Sequence, residues 1–523
     1  MIDNRRCNWY NFNIDSYSFN CVTVLIIIRR IMMKTKKILS SVLALATLVS
    51  VASCGQSGGR TEQTGNTDVA ATTTTVATTT LDTDAAVQDA AANAAADADL
   101  GVESVDKKIK WLAWWDIDET QAAAEIFKAK YGVPEEGNSS YGADFTNEIF
   151  VWTNVAYGDR YDKLGQLVAA GDSPDIFPFE IGYFPISAYM NMFQPIDGIV
   201  DTTTEDWSKY RDVMDQFMWG GKNWCAITDI NTNYVLWYRK TIIAEAGLED
   251  PLELYRNGEW TWDKFLEMAD VFQNSGDSKY VIDGWNVPDG FLATTGVPLV
   301  SIEDGKLKSN LNDPAVERCM QFIEKLASED YRYPWDLNGY STNQRAWFNG
   351  DTLFFLDGTW AYESDSWIKT RERFGWEADE LQFVPYPRDP NADTYYQAMK
   401  QDAYMLCSGA SNPDGFAAWT NCVLAASKDE AVVAAQREKS KRDFGWTDEH
   451  LDLLQELKTS MVSVWDFKNG VSVTCAADGM DDSPTRAVLC RPYTFADETY
   501  TQLRAEWENI IDTQISEANA KIG

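Results

Sequence analysis

Short apolar runs alternate with helix-like segments at the start of the globular part of the chain. Each run is long enough for a buried strand. Each segment that follows carries apolar residues three or four apart and then a glycine, which is typical of a helix and its end. The predicted strands and helices alternate at 109–114, 122–131, 148–152, 160–170 and 175–179. Because a β-α-β-α-β order implies a mainly parallel sheet covered by helices, we predict an α/β fold.

Helix patterns dominate the later part of the chain. Thr261 stands where a helix N-cap is expected, and Trp260 just before it can pack on Phe265 at the fourth helical position. This hydrophobic staple gives Trp260 and Trp262 structural roles, which we prefer to ligand binding.

An apolar run at 38–51 follows three lysines and ends in small residues just before Cys54. This layout is typical of a secretory signal peptide, and it resembles the bacterial lipoprotein signal, whose cysteine is lipidated. The alternative is a transmembrane helix, but a span needs about 20 apolar residues and this run is shorter. We therefore expect Cys54 to be the lipidation site and the protein to be anchored to the outer face of the cell membrane.

Three segments at the start of the chain are expected to lie outside the globular part. Residues 1–31 have no place in the signal and are interpreted as an upstream extension, whereas 32–53 form the signal peptide. Residues 54–106 are rich in threonine, alanine and aspartate and lack aromatic residues. Such a composition buries too little surface to offset the entropy of ordering. We therefore predict a disordered tether, with no more than transient helix at 85–98.

Charge and residue counts exclude several functions. The chain carries 80 acidic and 45 basic residues, a formal charge of −35, which repels phosphate backbones and argues against a nucleic-acid partner. The single histidine, His450, lies in a polar stretch, and we expect it to be exposed to solvent. One histidine excludes multi-histidine metal sites and leaves histidine triads without support. We expect no metal and no cofactor.

Aromatic residues next to carboxylates follow two of the predicted strands. The first group is Trp114, Trp115 and Asp116, and the second is Phe179 with Glu180. Parallel sheets place ligands at the carboxyl ends of their strands. Aromatic rings there can stack on the apolar faces of sugars while carboxylates accept hydroxyl hydrogens. Packing of the same rings against helices is the alternative, and the pattern alone does not decide between the two.

Several loose motifs occur in a specific order and spacing along 107–523. Together they resemble the extracellular solute-binding proteins, the sugar-receptor family that includes maltose-binding protein. The motifs are YGDRYDKL at 157–164, AAGDSPDI at 169–176, WYRK at 237–240, EAGL at 245–248, WTWDKF at 260–265, FNGDT at 348–352, LDGTW at 356–360 and VPYP at 384–387.

This resemblance implies two α/β lobes with a ligand cleft between them and a hinge that the chain crosses three times. Ligand binds in the cleft and the lobes close on it. We expect the first lobe to comprise 107–230 with 407–465, and the second to comprise 234–402 with 470–523.

The resemblance also suggests where ligand binds. Trp360 matches a second-lobe aromatic residue that stacks on sugar, and Thr232 stands where maltose-binding protein has a carboxylate near the hinge. Because Thr232 departs from that pattern, malto-oligosaccharide specificity is not expected. The candidate ligand-binding residues are Trp114, Trp115, Asp116, Phe179, Glu180, Asp229, Asn231, Asn233, Trp360 and Tyr493.

We therefore expect a monomeric, lipid-anchored receptor that captures a sugar or oligosaccharide for the permease subunits of an ABC importer. The chain lacks the G-x-x-x-x-G-K-[ST] motif of an ATPase, and no enzymatic activity is expected. One alternative keeps the fold but changes the ligand to a peptide or polyamine. Another is a surface glycoside hydrolase, which needs two carboxylates about 5–9.5 Å apart.

Overall fold

A computed structural model describes residues 83–115, 117, 121–134, 145–146, 148–232, 234–338, 341–476 and 483–521. The predicted extension, signal peptide and lipidation site, Cys54, lie outside the described residues. So do Asp116 and Asn233.

The described residues form strands and helices in alternation. In chain order the strands are β1 (Ile109–Ala113), β2 (Phe145–Thr146), β3 (Phe150–Asn154), β4 (Ile176–Pro178), β5 (Cys225–Thr232), β6 (Val235–Arg239), β7 (Tyr280–Gly284), β8 (Val300–Glu303), β9 (Lys306–Ser309), β10 (Thr352–Asp357), β11 (Leu381–Val384), β12 (Tyr396–Leu406) and β13 (Val462–Val464). The helices are α1 (Thr83–Asp97), α2 (Ala122–Tyr131), α3 (Arg160–Ala170), α4 (Ile186–Tyr189), α5 (Ser208–Gln216), α6 (Lys240–Glu245), α7 (Pro251–Arg256), α8 (Trp262–Gln273), α9 (Val287–Ala293), α10 (Pro314–Ser328), α11 (Gln344–Phe348), α12 (Asp365–Phe374), α13 (Pro413–Lys428), α14 (Glu430–Phe444), α15 (Asp448–Ser460), α16 (Pro484–Thr494) and α17 (Tyr500–Ala520).

The larger sheet has seven strands in the order β13-β12-β4-β1-β3-β2, with β5 paired to β12. Strand β1 runs parallel to both β3 and β4, and Trp111 lies opposite Trp152 and Ile176. The predicted α/β alternation at the start of the globular part is therefore confirmed. Strand β12 runs antiparallel to β4 and β5, so this edge of the sheet is mixed.

The smaller sheet has four strands in the order β11-β6-β10-β7. Strands β7 and β10 are parallel neighbours, whereas β6 runs antiparallel to both β10 and β11. The chain passes from the larger sheet to the smaller one between β5 and β6. The two sheets, each with helices packed on it, form the two-lobed arrangement; the exact lobe boundaries remain a prediction.

The first described helix corrects the predicted tether. Helix α1 packs on α2 and α14, and Asp84 at its start pairs with Lys439 and Arg442, each 3.0 Å away. The prediction of disorder through residue 106 is therefore wrong from residue 83 onward. Composition was misleading because a stripe of small side chains lets helices approach closely with little apolar surface. The buried side chains of this stripe are Val87, Ala90, Ala91, Ala94 and Ala95.

The staple predicted at the start of α8 is present. The ring of Trp260 is buried, with its centroid 6.1 Å from that of Phe265. Thr261 accepts a hydrogen bond from the backbone N–H of Lys264 at 3.3 Å. Trp262 is buried too, so the preference for structural roles at both tryptophans agrees with the packing.

His450 is buried, which contradicts the expectation that it is exposed. It lies in the first turn of α15, where its Nδ1 accepts a hydrogen bond from the backbone N–H of Thr447 as part of a capping box. Its ring packs against Tyr362 and Phe383, and burial lowers its pKa to about 4. The polar stretch was misleading because only one face of this helix meets solvent.

The turn between α14 and α15 packs on elements of the smaller sheet. Trp446 donates from its indole to Glu363 at 2.8 Å, and its ring centroid lies 4.3 Å from that of Tyr362. Arg371 donates to the carbonyl of Phe444 at 2.7 Å. Since α15 also packs on β5, it contacts elements of both sheets.

Candidate functional site

Aromatic residues follow two parallel strands of the larger sheet. Trp114 and Trp115 come directly after β1, and Tyr157 comes shortly after β3. Because β1 and β3 are parallel and adjacent, their carboxyl ends lie at the same edge of the sheet, which is where ligands bind in such folds. We call these three residues the first aromatic wall.

The rings of the first aromatic wall pack edge to face and leave large surfaces open. The centroids of Trp114 and Trp115 are 4.5 Å apart, and those of Trp114 and Tyr157 are 5.0 Å apart, with interplanar angles of 78° and 85°. Trp115 is 42% exposed and Tyr157 is 47% exposed. The wall therefore offers ring surface to a ligand, and Tyr157 joins the two tryptophans that the sequence pattern had singled out.

Glu180 follows β4, but its carboxylate already has a partner within the protein. Arg160 forms a bidentate pair with it: Nε lies 2.7 Å from Oε2 and Nη2 lies 3.1 Å from Oε1. Two-pronged pairs of this kind fix both groups in orientation. The structure therefore binds Glu180 to Arg160, and its contact with ligand remains a prediction.

Phe179 and Tyr493 do not offer ring faces to a ligand. Phe179 is only 6% exposed and packs on Phe217, with ring centroids 5.4 Å apart. The ring of Phe179 therefore packs in the core, and its contact with ligand remains a prediction. The ring of Tyr493 is also buried, in α16 near Trp335. Its hydroxyl has no hydrogen-bond partner among the described residues, and burial raises its pKa well above the usual range.

A second group of aromatic residues follows the parallel strands of the smaller sheet. Trp360 lies in a short 3₁₀ helix after β10 and is 57% exposed, and Trp285 directly follows β7 and is 42% exposed. The backbone N–H of Trp285 donates to the carbonyl of Leu356 at 3.1 Å, so the two strand ends are joined. We call Trp285 and Trp360 the second aromatic wall. The sequence pattern had identified Trp360 but not Trp285.

Two glycines give the second aromatic wall its shape. A Cβ at Gly358 would lie 1.9 Å from the indole Nε1 of Trp360, so the ring rests directly on this glycine. Gly284 has a φ of +127°, and its Cβ would lie 2.1 Å from the carbonyl oxygen of Leu356. Gly284 is therefore required by the backbone, whereas a side chain at Gly358 would displace the indole of Trp360.

Buried carboxyl groups lie at the ends of the same two strands. Asp357 is 4% exposed and accepts a hydrogen bond from the backbone N–H of Gly358 at 2.8 Å, and burial raises its pKa to about 7. Asp283 accepts from the indole of Trp335 at 2.8 Å. Burial raises the pKa of Asp283 to about 6, against the opposing effect of its hydrogen bonds. The sequence pattern had singled out neither residue.

Two other candidate ligand-binding residues, Asp229 and Asn231, have partners within the protein. Asp229 accepts a hydrogen bond from the hydroxyl of Tyr210 at 2.9 Å and pairs with Lys458. Asn231 donates to Asp402 on the paired strand β12. These contacts join β5 to α5, α15 and β12. The proposed contacts of Asp229 and Asn231 with ligand therefore remain predictions.

Comparison with known proteins identifies the family. Residues 139–437, more than half of the chain, match the family described as bacterial extracellular solute-binding protein, and the chain belongs to this family. No curated protein matches the chain by sequence. Members of the family are binding proteins that act outside the cytoplasm. None of the described helices is long and apolar enough to cross a membrane.

Solved structures share the fold at low sequence identity. The GacH receptor of Streptomyces glaucescens, solved unliganded and with acarbose, is 16% identical over 79% of this chain and 99% of its own, with a TM-score of 0.54. The sugar-binding protein MalE of Xanthomonas citri is 16% identical over 79% and 98%, with a TM-score of 0.55. Lmo0181 of Listeria monocytogenes, an ABC substrate-binding protein in complex with cycloalternan, is 15% identical over 79% and 100%, with a TM-score of 0.54.

Proposed function

We propose that this solute-binding protein captures a sugar or short oligosaccharide between its two aromatic walls and delivers it to an ABC importer. The observation that carries the proposal is the placement of exposed indole rings at the carboxyl ends of parallel strands in both sheets. Indole faces stack on the apolar C–H faces of sugar rings. Closing of the two lobes would bring a wall to each side of the ligand.

The solved relatives support the ligand class. Acarbose and cycloalternan are bound by two of the proteins that share this fold. The exposed rings of Trp115, Tyr157, Trp285 and Trp360 supply aromatic surface on which the apolar faces of such ligands can stack.

The remaining parts of the proposal follow from the sequence. Cys54 carries the lipid that anchors the receptor to the outer face of the membrane, and the permease subunits of the importer are its partners. The receptor acts as a monomer and has no enzymatic activity. Incubation with polysaccharides should therefore release no reducing sugar, and release would favour the glycoside hydrolase alternative.

Isothermal titration against a panel of glycans tests the ligand class. For the glycan that binds best, Trp285→Ala and Trp360→Ala should each weaken the Kd about tenfold; the guide is the stacking of a nucleic-acid base on an aromatic residue, which contributes about 1–3 kcal/mol. Phe374→Ala is the matched control, because Phe374 is an exposed aromatic residue at the end of α12, outside both walls. Tight binding of a peptide or polyamine with no binding of any glycan would refute the proposal.

A further inference from the structure

A cation of the protein itself fills an aromatic cage beneath the first aromatic wall. The guanidinium of Arg160 is 1% exposed. Its Cζ lies 3.6 Å from the ring centroid of Tyr157 and 5.3 Å from that of Trp114. The ring centroids of Tyr161 and Tyr183, which stack on each other, each lie 5.1 Å from this Cζ. A cage of this kind commonly receives a cationic ligand, and here the occupant is a side chain.

Arg160 also joins three segments of the chain. It begins α3, binds Glu180 after β4 with two prongs, and donates from Nη1 to the carbonyl oxygen of Tyr157. A guanidinium suits this place because its planar fork matches a carboxylate while its face stacks on aromatic rings. A lysine carries the same charge but offers neither the fork nor the flat face.

We propose that Arg160 is a positioning residue for the ligand site: it holds Tyr157 and Trp114 in the orientation that receives a sugar, and it closes the cage to cationic ligands. The proposal rests on the sugar-binding function proposed above. Tyr157 is exposed on one side and lies over Arg160 on the other, and Trp114 packs edge-on against Tyr157. Without Arg160 both rings would lose the surface that supports them, and the site would lose its preorganisation.

The test compares Arg160 with a second arginine that has the same kinds of partner. Arg239, at the end of β6, donates from Nε to Glu380 at 2.9 Å and from Nη1 to the carbonyl of Phe348 at 3.1 Å, and its Cζ lies 4.5 Å from the ring centroid of Trp376. Because β6 runs antiparallel to β10, Arg239 lies near the start of β10, at the opposite end of that strand from Trp360. For the glycan that binds best, we expect Arg160→Lys and Arg160→Ala to weaken the Kd at least tenfold. Arg239→Lys should change it less than twofold. Equal effects at both positions, or none at Arg160, would overturn the proposal.

Chemical rescue separates positioning from a general loss of structure. Guanidinium chloride at millimolar concentration, far below denaturing levels, should refill the cage of Arg160→Ala and restore most of the lost glycan affinity. The same concentration of sodium chloride should not. Failure of guanidinium to restore affinity would overturn the proposal. If Arg160→Ala does not fold, the Kd of Arg160→Lys decides, because this variant keeps the charge.

A measurement without any sugar keeps this inference distinct from the proposed function. In ligand-free Arg160→Ala, millimolar guanidinium should raise the Tm by several degrees relative to sodium chloride, and it should not do so in the wild-type protein, whose cage is full. Absence of the shift would overturn the filled cage. If the Tm of Arg160→Ala rises with guanidinium but the wild-type protein binds no glycan, the filled cage stands. The proposed function is then overturned, and the positioning role with it.

Discussion

Asp357 makes the stability of the protein depend on pH in a direction opposite to that of most carboxyl groups. Its pKa is raised to about 7 by burial at the end of β10, whereas an unfolded aspartate titrates near 3.9. Between these two values the folded state holds a proton that the unfolded state has lost. Stability due to this group is therefore largest below pH 4 and is lost as the pH rises through 7.

The magnitude follows from the two pKa values. A shift of about three units is worth roughly 4 kcal/mol at pH values above 7, and about 2–3 kcal/mol of this is lost between pH 5 and pH 8. An asparagine cannot ionise but retains an oxygen that accepts the hydrogen bond from Gly358. We therefore compare the free energy of unfolding of Asp357→Asn with that of the wild-type protein. The difference in favour of Asp357→Asn should be about 2–3 kcal/mol larger at pH 8 than at pH 5.

Urea unfolding of both proteins at several pH values between 4.5 and 8 measures this difference. Asp365→Asn is the control, because Asp365 is exposed at the start of α12. Asp283, whose pKa is raised to about 6, contributes in the same direction but is present in all three proteins and cancels in the comparison. Parallel stability profiles for wild type and Asp357→Asn would refute the reasoning, since they would mean that Asp357 is ionised in the folded protein at pH 5.

Three further predictions concern the second aromatic wall, α1 and the anchor. Gly358→Ala should displace the indole of Trp360 and weaken glycan binding about tenfold, measured by titration calorimetry, while the circular dichroism spectrum stays unchanged. Ala91→Leu should cost about 1–3 kcal/mol of unfolding free energy, because Ala91 is fully buried between helices; proteolysis should then cleave near α1 first. Cys54→Ser should leave glycan affinity intact but release the protein from the membrane or leave it unprocessed, as fractionation and immunoblotting would reveal.

Each of these has an outcome that contradicts it. Wild-type affinity in Gly358→Ala would mean that the position of the Trp360 indole does not matter to binding. Wild-type stability in Ala91→Leu, with Ala92→Leu at an exposed position as its control, would mean that α1 is not packed on the protein. Loss of glycan affinity in Cys54→Ser would mean that the anchor and the binding module are not separable.

The sequence predicted the elements best where the pattern was long and periodic. The alternation that gave β1, α2, β3, α3 and β4 depends on buried runs and glycine stops, which are local signals. Of the second aromatic wall the sequence predicted only Trp360, because this residue ends the LDGTW motif at 356–360. Trp285 belongs to no such motif, and the apolar run before it, Val281 and Ile282, is too short to predict a strand.

The other differences arise from contacts that are distant in sequence. Phe179 and Glu180 are adjacent, and strand alternation turns the phenylalanine inward, but which face is buried depends on Phe217 and the helices around it. His450 is buried by rings more than 60 residues earlier in the chain. Arg160 draws Glu180 away from solvent, a pairing across 20 residues that no local pattern encodes.

The docking of α1 has a consequence for the order in which the protein matures. Asp84 and Lys439 are 355 residues apart, so α1 leaves the ribosome long before the helix that receives it. At about 5–20 residues per second, this interval lasts roughly 20–70 s. Throughout that time the inner face of α1 has no partner on α14. The alanine methyl groups of this face expose little apolar surface before α14 is synthesised. Helix α1 therefore carries a smaller risk of aggregation during that time than a leucine-rich helix would.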